Sequence, residues 1–161
     1  MTVKEYNECV NQYADHVYRF IVKNLRHTED ARDVVQSSFE KMWIKRETID
    51  PEKAKSFLFT VAYRQMIDHI RRQSKLSFPE TVQEPADHAS YQTPNRKRIL
   101  DEALSRLNET QRSLVMLKDY EGYSYAEIGE ITGLNESQVK VYLHRARLQL
   151  KAYIIHPENV V

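Results

Sequence analysis

Between Ser137 and Arg145 the chain places hydroxyl, amide, ammonium, imidazole and guanidinium groups at positions that a helix would carry on or near one side: Ser137, Gln138, Lys140, Val141, His144 and Arg145. A helix in the DNA major groove reads bases with residues of its N-terminal half and grips phosphate with basic ones, so Gln138, Lys140 and Val141 are the candidate base readers. Arg145, Arg147 and Lys151 suit the phosphate backbone. A second mixture, Tyr63, Arg64 and His69 followed by Arg71 and Arg72, brings ring and guanidinium surfaces alongside charge, the combination that stacks on unpaired bases. Catalysis has no such signal. His16, His27, His69, His88, His144 and His156 form no close metal-ligand pattern with Cys9, and neither a glycine-rich phosphate loop nor zinc-protease spacing occurs. The expectation is a protein that is not an enzyme, with no metal, cofactor or small-molecule substrate. Cys9 is expected to be a buried small apolar group.

The elements that must hold the first set are legible around it. Ser124 with Glu127 has the spacing of a capping box, in which side chain and backbone satisfy each other's orphaned groups at a helix start. Ile128 and Ile131 give that helix an apolar side, and Gly133 stands where the chain must turn, with positive φ. Asn135 with Gln138 repeats the cap, and Val139, Leu143, Ala146 and Leu150 then form an inward stripe. Gly129, four residues before the turn glycine, would let the two helices approach closely. This is a helix-turn-helix. A helical hairpin with a merely solvated charged face is the blander reading; cap, turn, glycine spacing and basic face together favour DNA.

With 161 residues, 41% of them hydrophobic and only 3 glycines, the chain is expected to be all-α: two small helical domains joined by a flexible linker, the C-terminal one the helix-turn-helix. The domains are placed at 1–73 and 96–161, with the linker at 74–95. No apolar run approaches the roughly 18 residues of a membrane span, which predicts a cytoplasmic protein without membrane insertion. One cysteine permits no intrachain disulfide, in keeping with a reducing compartment. The net charge of +1 conceals segregation: residues 51–76 carry 6 Lys/Arg against 2 Asp/Glu, and residues 136–161 carry 4 against 2. Residues 77–95 have no Lys or Arg but contain Glu80, Glu84 and Asp87, with Pro79, Pro85 and Pro94 spread through the linker. Two basic segments around an acidic connector suggest two DNA contacts. About 22 extended residues reach roughly 70 Å at about 3.3 Å each, enough for two modules on one duplex.

In the N-terminal half, Thr2 and Glu5 predict a capping box for a helix whose apolar face is Tyr6, Val10, Tyr13, Val17, Phe20, Ile21 and Leu25. Thr28 is expected to cap a second helix running to about Arg46, with Val34, Val35, Phe39 and Met42 inside. Its other edge, Asp33, Gln36, Ser37, Glu40 and Trp43, is polar with an indole beside it. Asp50 as cap and Pro51 as first residue start a third helix to about Gln73, apolar early and basic late. From this half alone, a core helix with a charged tail fits the third helix as well as a DNA contact does.

The segments Asp33 to Trp43, Phe57 to Arg72 and Ser124 to Arg147, in that order and spacing, resemble a bacterial RNA polymerase sigma factor of the sigma-70 family, extracytoplasmic-function group. The resemblance covers nearly the whole chain apart from the linker and the last few residues. It implies a transcription initiation factor that binds core RNA polymerase, directs it to specific promoters and assists melting. Asp33, Gln36, Glu40 and Trp43 would dock on the polymerase clamp. The segment Ile49 to Lys55, including Lys53 and Lys55, with Tyr63, Arg64, Arg71 and Arg72, would engage the −10 element. Ser137, Gln138, Lys140, Val141, His144 and Arg145 would read the −35 element. The linker would thread the polymerase channel, and an anti-sigma factor would be a further partner. Arg64 stands where the family most often has Asn, Phe57 where it often has Trp and Ser37 where an acid is common, and Ser137-Gln138-Val139 replaces the frequent Gly-Thr-Val, so promoter sequence does not transfer. The alternative function is a polymerase-independent helix-turn-helix regulator that binds an operator as a dimer.

Overall fold

Thr2 accepts from the Glu5 amide at 3.1 Å while the Glu5 carboxylate accepts from the Thr2 amide at 2.9 Å, so the expected capping box starts the first helix, α1 (Val3–Leu25). The computed structural model describes residues 1–76 and 95–155, which divide into two compact units; among the described residues every regular element is helical. Residues 77–94 of the expected acidic linker, with Glu80, Glu84, Asp87 and His88, lie outside the described residues, as does His156.

In the N-terminal unit α1, α2 (Thr28–Lys45) and α3 (Ala54–Leu76) pack on one another. Helix α1 ends at Arg26, whose left-handed φ of 58° returns its amide to the Val22 carbonyl at 2.8 Å. That reversal comes early enough to make His27, and not Thr28, the cap of α2: the His27 Nδ1 accepts from the Asp30 amide at 3.2 Å and Thr28 is the first helical residue. Asp50 caps as expected, accepting from the Glu52 amide at 3.0 Å, but Pro51–Lys53 forms a 3₁₀ turn before α3, which continues to Leu76, past Gln73. Val17, Phe20 and Ile21 of α1 are buried with Ala31, Val34 and Met42 of α2 and Leu58, Phe59, Ala62 and Met66 of α3. The rings of Phe20 and Phe59 meet edge to face at 5.6 Å, an arrangement worth about 1 kcal/mol beyond the area it removes from water. Cys9 is buried in α1 as expected, and burial pushes its thiol pKa up. Ser38 is buried too; its hydroxyl donates to the Val34 carbonyl at 2.6 Å, which satisfies it within its own helix.

The C-terminal half of the chain forms α4 (Asn95–Ser105), α5 (Glu109–Val115), α6 (Tyr125–Thr132) and α7 (Glu136–Ile155). Helix α7 packs on α4 and α5, and the stripe Val139, Leu143, Ala146 and Leu150 is buried as its spacing required. Asn108 and Gln111 form a capping box at the start of α5. One turn later, the buried Arg112 reaches back to the end of α4, where its guanidinium donates to the carbonyls of Leu104 at 2.9 Å, Ser105 at 3.3 Å and Leu107 at 2.6 Å. These belong to the last turn of α4 and its exit, carbonyls that a helix leaves without internal donors. Helix α5 continues through a π-helical turn, Met116–Tyr120, with the Glu121 amide on the Met116 carbonyl at 3.0 Å. Gly122, φ 77°, then reverses the chain.

Candidate nucleic-acid interface

The helix-turn-helix is built by the caps the sequence encodes. Ser124 and Glu127 exchange bonds of 3.0 and 3.1 Å, Gly133 has φ 81°, and Asn135 and Gln138 exchange bonds of 3.0 and 2.8 Å. Gly129 serves a closer neighbour than the facing helix. A Cβ there would lie 2.8 Å from the Leu134 carbonyl oxygen, so it is the turn backbone that requires a glycine.

On α7, Ser137, Lys140, Val141, His144 and Arg145 are exposed and Gln138 is half-buried. They share the side opposite the buried stripe. Lys140 is biased by its surroundings: its ammonium lies 3.6 Å from Glu136 and 5.5 Å from the Tyr125 ring, over which Lys118 also sits at 4.6 Å. Arg147, expected at phosphate, is instead engaged within the unit. Its guanidinium grips Asp119 through two bonds, 2.5 and 3.3 Å, and this carboxylate pushes the guanidinium pKa further up. Asp119 lies on the π-helical turn, 28 residues away in sequence, a pairing that no local pattern announces. Farther along α7, the Tyr153 hydroxyl donates to Glu102 at 3.0 Å under the Arg106 guanidinium, tying its end to α4.

In the N-terminal unit the basic residues of α3 recur at helical spacing. Arg64, Arg71 and Arg72 are exposed, and Arg71 and Arg72 line a shallow concavity with Lys41, Gln65, Asp68 and Lys75. Lys41, Gln65 and Lys75 were not among the expected residues; Lys41 comes from α2, and its place beside α3 follows only from the packing. Lys53 is exposed, whereas Lys55 is half-buried with its ammonium 5.6 and 5.9 Å from the Tyr13 and Phe59 rings. Tyr63 departs most from expectation. It is 8% exposed, so in this arrangement its ring offers no open platform for a base.

The polar edge of α2 is a different kind of surface. Asp33, Gln36 and Glu40 are exposed, with the Gln36 amide donating to Glu40 at 3.3 Å. Trp43 is 38% exposed, with the Tyr6 ring edge-on at 4.9 Å between centroids and the Arg46 guanidinium 3.8 Å over its face. Tyr6 is anchored in turn by donating to the Phe39 carbonyl at 3.0 Å, and burial pushes its phenol pKa up, so it stays a donor. Ile44 completes the edge at 76% exposure. Three helical turns after Asp33, it falls on the same side, a phase that helical counting finds. An edge of two carboxylates, an amide, an indole and an isoleucine repels phosphate and suits a protein partner.

Comparison with known proteins follows this division. Residues 9–76 match the family "Sigma-70 region 2" and residues 97–150 match "Sigma-70, region 4". The chain is 30% identical over 147 residues to RNA polymerase sigma factor SigV of Bacillus subtilis, covering 88% of this chain and 89% of that protein. It is 29% identical over 156 residues to ECF RNA polymerase sigma factor SigM of Bacillus subtilis, covering 91% and 93%. With ECF RNA polymerase sigma factor SigE of Mycolicibacterium smegmatis it shares 30% identity over 158 residues, which is 92% of this chain but spans 61% of that relative. Among solved structures, RpoE of Bartonella quintana, crystallised with the anti-sigma factor NepR, superposes with a TM-score of 0.76 at 23% identity, covering 93% of this chain and 96% of that one. CnrH, in complex with the cytosolic domain of CnrY, gives 0.65 at 23% identity, covering 91% and 85%. At that identity the two structures speak for the fold.

Proposed function

The chain belongs to the sigma-70 family, in its extracytoplasmic-function group, and from that premise we propose how its surfaces share the work of transcription initiation. It is a transcription initiation factor that binds core RNA polymerase, directs it to specific promoters and assists their melting. Residues 1–73 serve polymerase and −10 binding, residues 96–161 serve −35 binding, and residues 74–95 connect them. Asp33, Gln36, Glu40 and Trp43, with Ile44, dock on the polymerase. The observation that carries this assignment is the chemistry of the α2 edge: acidic and apolar side chains exposed together, in a unit whose α3 is basic in its later turns. A self-sufficient operator binder has no use for such an edge, and the dimeric-regulator alternative is not favoured.

Lys53, Arg64, Arg71 and Arg72 hold the −10 strand by charge, joined by Lys41 and Lys75 at the concavity. Lys55, whose ammonium lies beside the Tyr13 and Phe59 rings, and the buried Tyr63 contribute once a base or phosphate displaces their present neighbours. Ser137, Gln138, Lys140, Val141, His144 and Arg145 read the −35 element in the major groove. Bond making in RNA synthesis is left to the polymerase, and the factor works in the cytoplasm. The RpoE structure is a complex with an anti-sigma factor, NepR, and a partner of that kind is proposed here.

Run-off transcription with host core polymerase, with and without the protein, tests the function; specific new start sites are expected. For the docking edge, Gln36→Ala with Trp43→Ala should weaken core binding by roughly 30-fold, the scale of losing a buried aromatic anchor, while leaving the DNA-contacting residues in place. Unchanged core affinity would remove the docking role.

A further inference from the structure

An exposed tryptophan anchors best when its ring already stands where the partner needs it, because each rotamer-rich side chain immobilised on binding weakens an interface by roughly two- to tenfold. Trp43 is met on two sides by its own chain. The Tyr6 ring stands edge-on to the indole, 4.9 Å between centroids, and the Arg46 guanidinium lies 3.8 Å over the indole face. Arg46 is itself pinned at both ends. Its Nη1 donates to the Trp43 carbonyl at 2.9 Å, and the same carbonyl accepts the Arg46 amide. Its backbone opens the 3₁₀ turn Arg46–Thr48, where the Thr48 hydroxyl donates to the Lys45 carbonyl at 2.8 Å and the Ile49 amide to the Arg46 carbonyl at 3.3 Å. The half-buried Arg46 is thus fixed just where α2 ends, across the indole that precedes it by three residues.

Resting on the reading of the α2 edge as the polymerase-docking surface, we infer that Arg46 is a positioning residue for that contact: it holds the Trp43 indole in its docking orientation before the polymerase arrives. A planar guanidinium suits the task, since it stacks on an aromatic face while its N–H groups remain free to hydrogen-bond at the rim. The stack does not hide the anchor, because Trp43 stays 38% exposed beside the exposed Gln36, Glu40 and Ile44. Arg46 acts through the indole and not as a polymerase contact of its own. That distinction is measurable, because a residue that works only by orienting another has nothing to contribute once the other is removed.

The test is a double-mutant cycle on core polymerase affinity with Arg46→Ala, Trp43→Ala and the pair, joined to acrylamide quenching of the free chain, whose one tryptophan is Trp43. Arg46→Ala should raise the quenching of Trp43 fluorescence and weaken core affinity by roughly fivefold. In the Trp43→Ala background the same substitution should cost less than about twofold, since no indole is left to orient. A loss of equal size with and without the indole would make Arg46 a polymerase contact or a merely structural residue, and unchanged quenching with unchanged affinity would leave it no role; either overturns the assignment. Should Arg46→Ala lower the melting temperature of the chain, Arg46→Lys carries the comparison: an ammonium keeps the charge without the planar stack, so partial losses of both readouts that vanish in the Trp43→Ala background are expected, and losses that persist there overturn the assignment. Trp43→Ala alone separates the two levels. If it leaves core affinity unchanged, the docking reading falls together with the Arg46 assignment; if it weakens affinity while Arg46→Ala does not, only the assignment falls.

Discussion

Replacing Arg112 with methionine keeps an unbranched apolar stem but removes the guanidinium from the end of α4. Two of the bonds lost are in the buried interior, to Leu104 at 2.9 Å and Leu107 at 2.6 Å, and the third, to Ser105, is part-buried. A hydrogen bond to a charged group contributes about 1.5–3 kcal/mol, and the abandoned carbonyls carry their own desolvation cost. Counting the two buried bonds alone and allowing for water at a frayed helix end gives a loss of about 3–5 kcal/mol. A unit of about 60 residues has only about 3–9 kcal/mol in total, so the variant unit should lose at least about a third of its stability and at the lower end unfold. Hydrogen exchange of the α4 and α5 amides measures this directly, and far-UV circular dichroism in urea gives the unfolding of the helices. Trp43, the one tryptophan, reports the N-terminal unit in the same samples. Arg112→Lys should fall between the wild type and the methionine variant, since an ammonium keeps the charge without the planar fork. A loss below about 1 kcal/mol in Arg112→Met would refute the reasoning, because it would mean that the α4 carbonyls are satisfied without the guanidinium.

The two turn glycines should fail for different reasons. Gly129→Ala forces the Leu134 carbonyl, 2.8 Å from the new methyl, to move and should cost about 1–3 kcal/mol, whereas Gly133→Ala meets open space but a forbidding φ of 81° and should cost about 1–2 kcal/mol. Thermal melts that showed Gly133→Asn to be as damaging as Gly133→Ala would contradict the second account, since asparagine tolerates that conformation better. Cys9, buried and with its thiol pKa raised by that burial, should react with an alkylating reagent far more slowly in the native chain than in urea; equal rates would place it at the surface. The Glu5 carboxyl is held below its usual range by its hydrogen bond to the Thr2 amide. Its contribution to the start of α1 is therefore present above the ordinary glutamate range and lost as pH falls through the lowered value, so Glu5→Gln should flatten the acid limb of a stability profile, and an unchanged limb would exclude the effect. Lys140→Ala with Arg145→Ala should impair −35 selection while core binding persists, and undiminished selection would assign DNA reading to another surface.

The parts that were legible in the sequence are those set by local chemistry. Thr2 with Glu5, Ser124 with Glu127 and Asn135 with Gln138 are encoded three residues apart, and the turn at Gly133 is encoded in one. Pairings between distant elements were not. Asp119 with Arg147 depends on a π-helical turn that no periodicity displays, and it gives an intramolecular partner to an arginine whose place on the helix suggested phosphate. Arg112 reads in sequence as one more solvated cation, and only the packing of α5 beside the exit of α4 shows it to be buried. Thr28 is the better cap by type, but the left-handed Arg26 turned the chain one residue sooner and gave the place to His27. Tyr63 is 8% exposed, a burial that helical counting along α3 did not foresee.

Along α7 the residues that hold the fold and those that face outward are almost disjoint. Val139, Leu143, Ala146 and Leu150 hold the helix down, while Ser137, Lys140, Val141, His144 and Arg145 bear no core contacts that a replacement would forfeit. Exposed substitutions of that kind change stability by only about 0.5 kcal/mol. A duplicated gene could thus rewrite this outer set step by step, with each intermediate still folded, and, on the proposed reading of α7, acquire a new promoter vocabulary on an old scaffold. Gln138 is the exception, since it belongs to both sets. Lineages that alter it must find another residue able to close the Asn135 cap, so position 138 should drift within a narrower alphabet than its exposed neighbours.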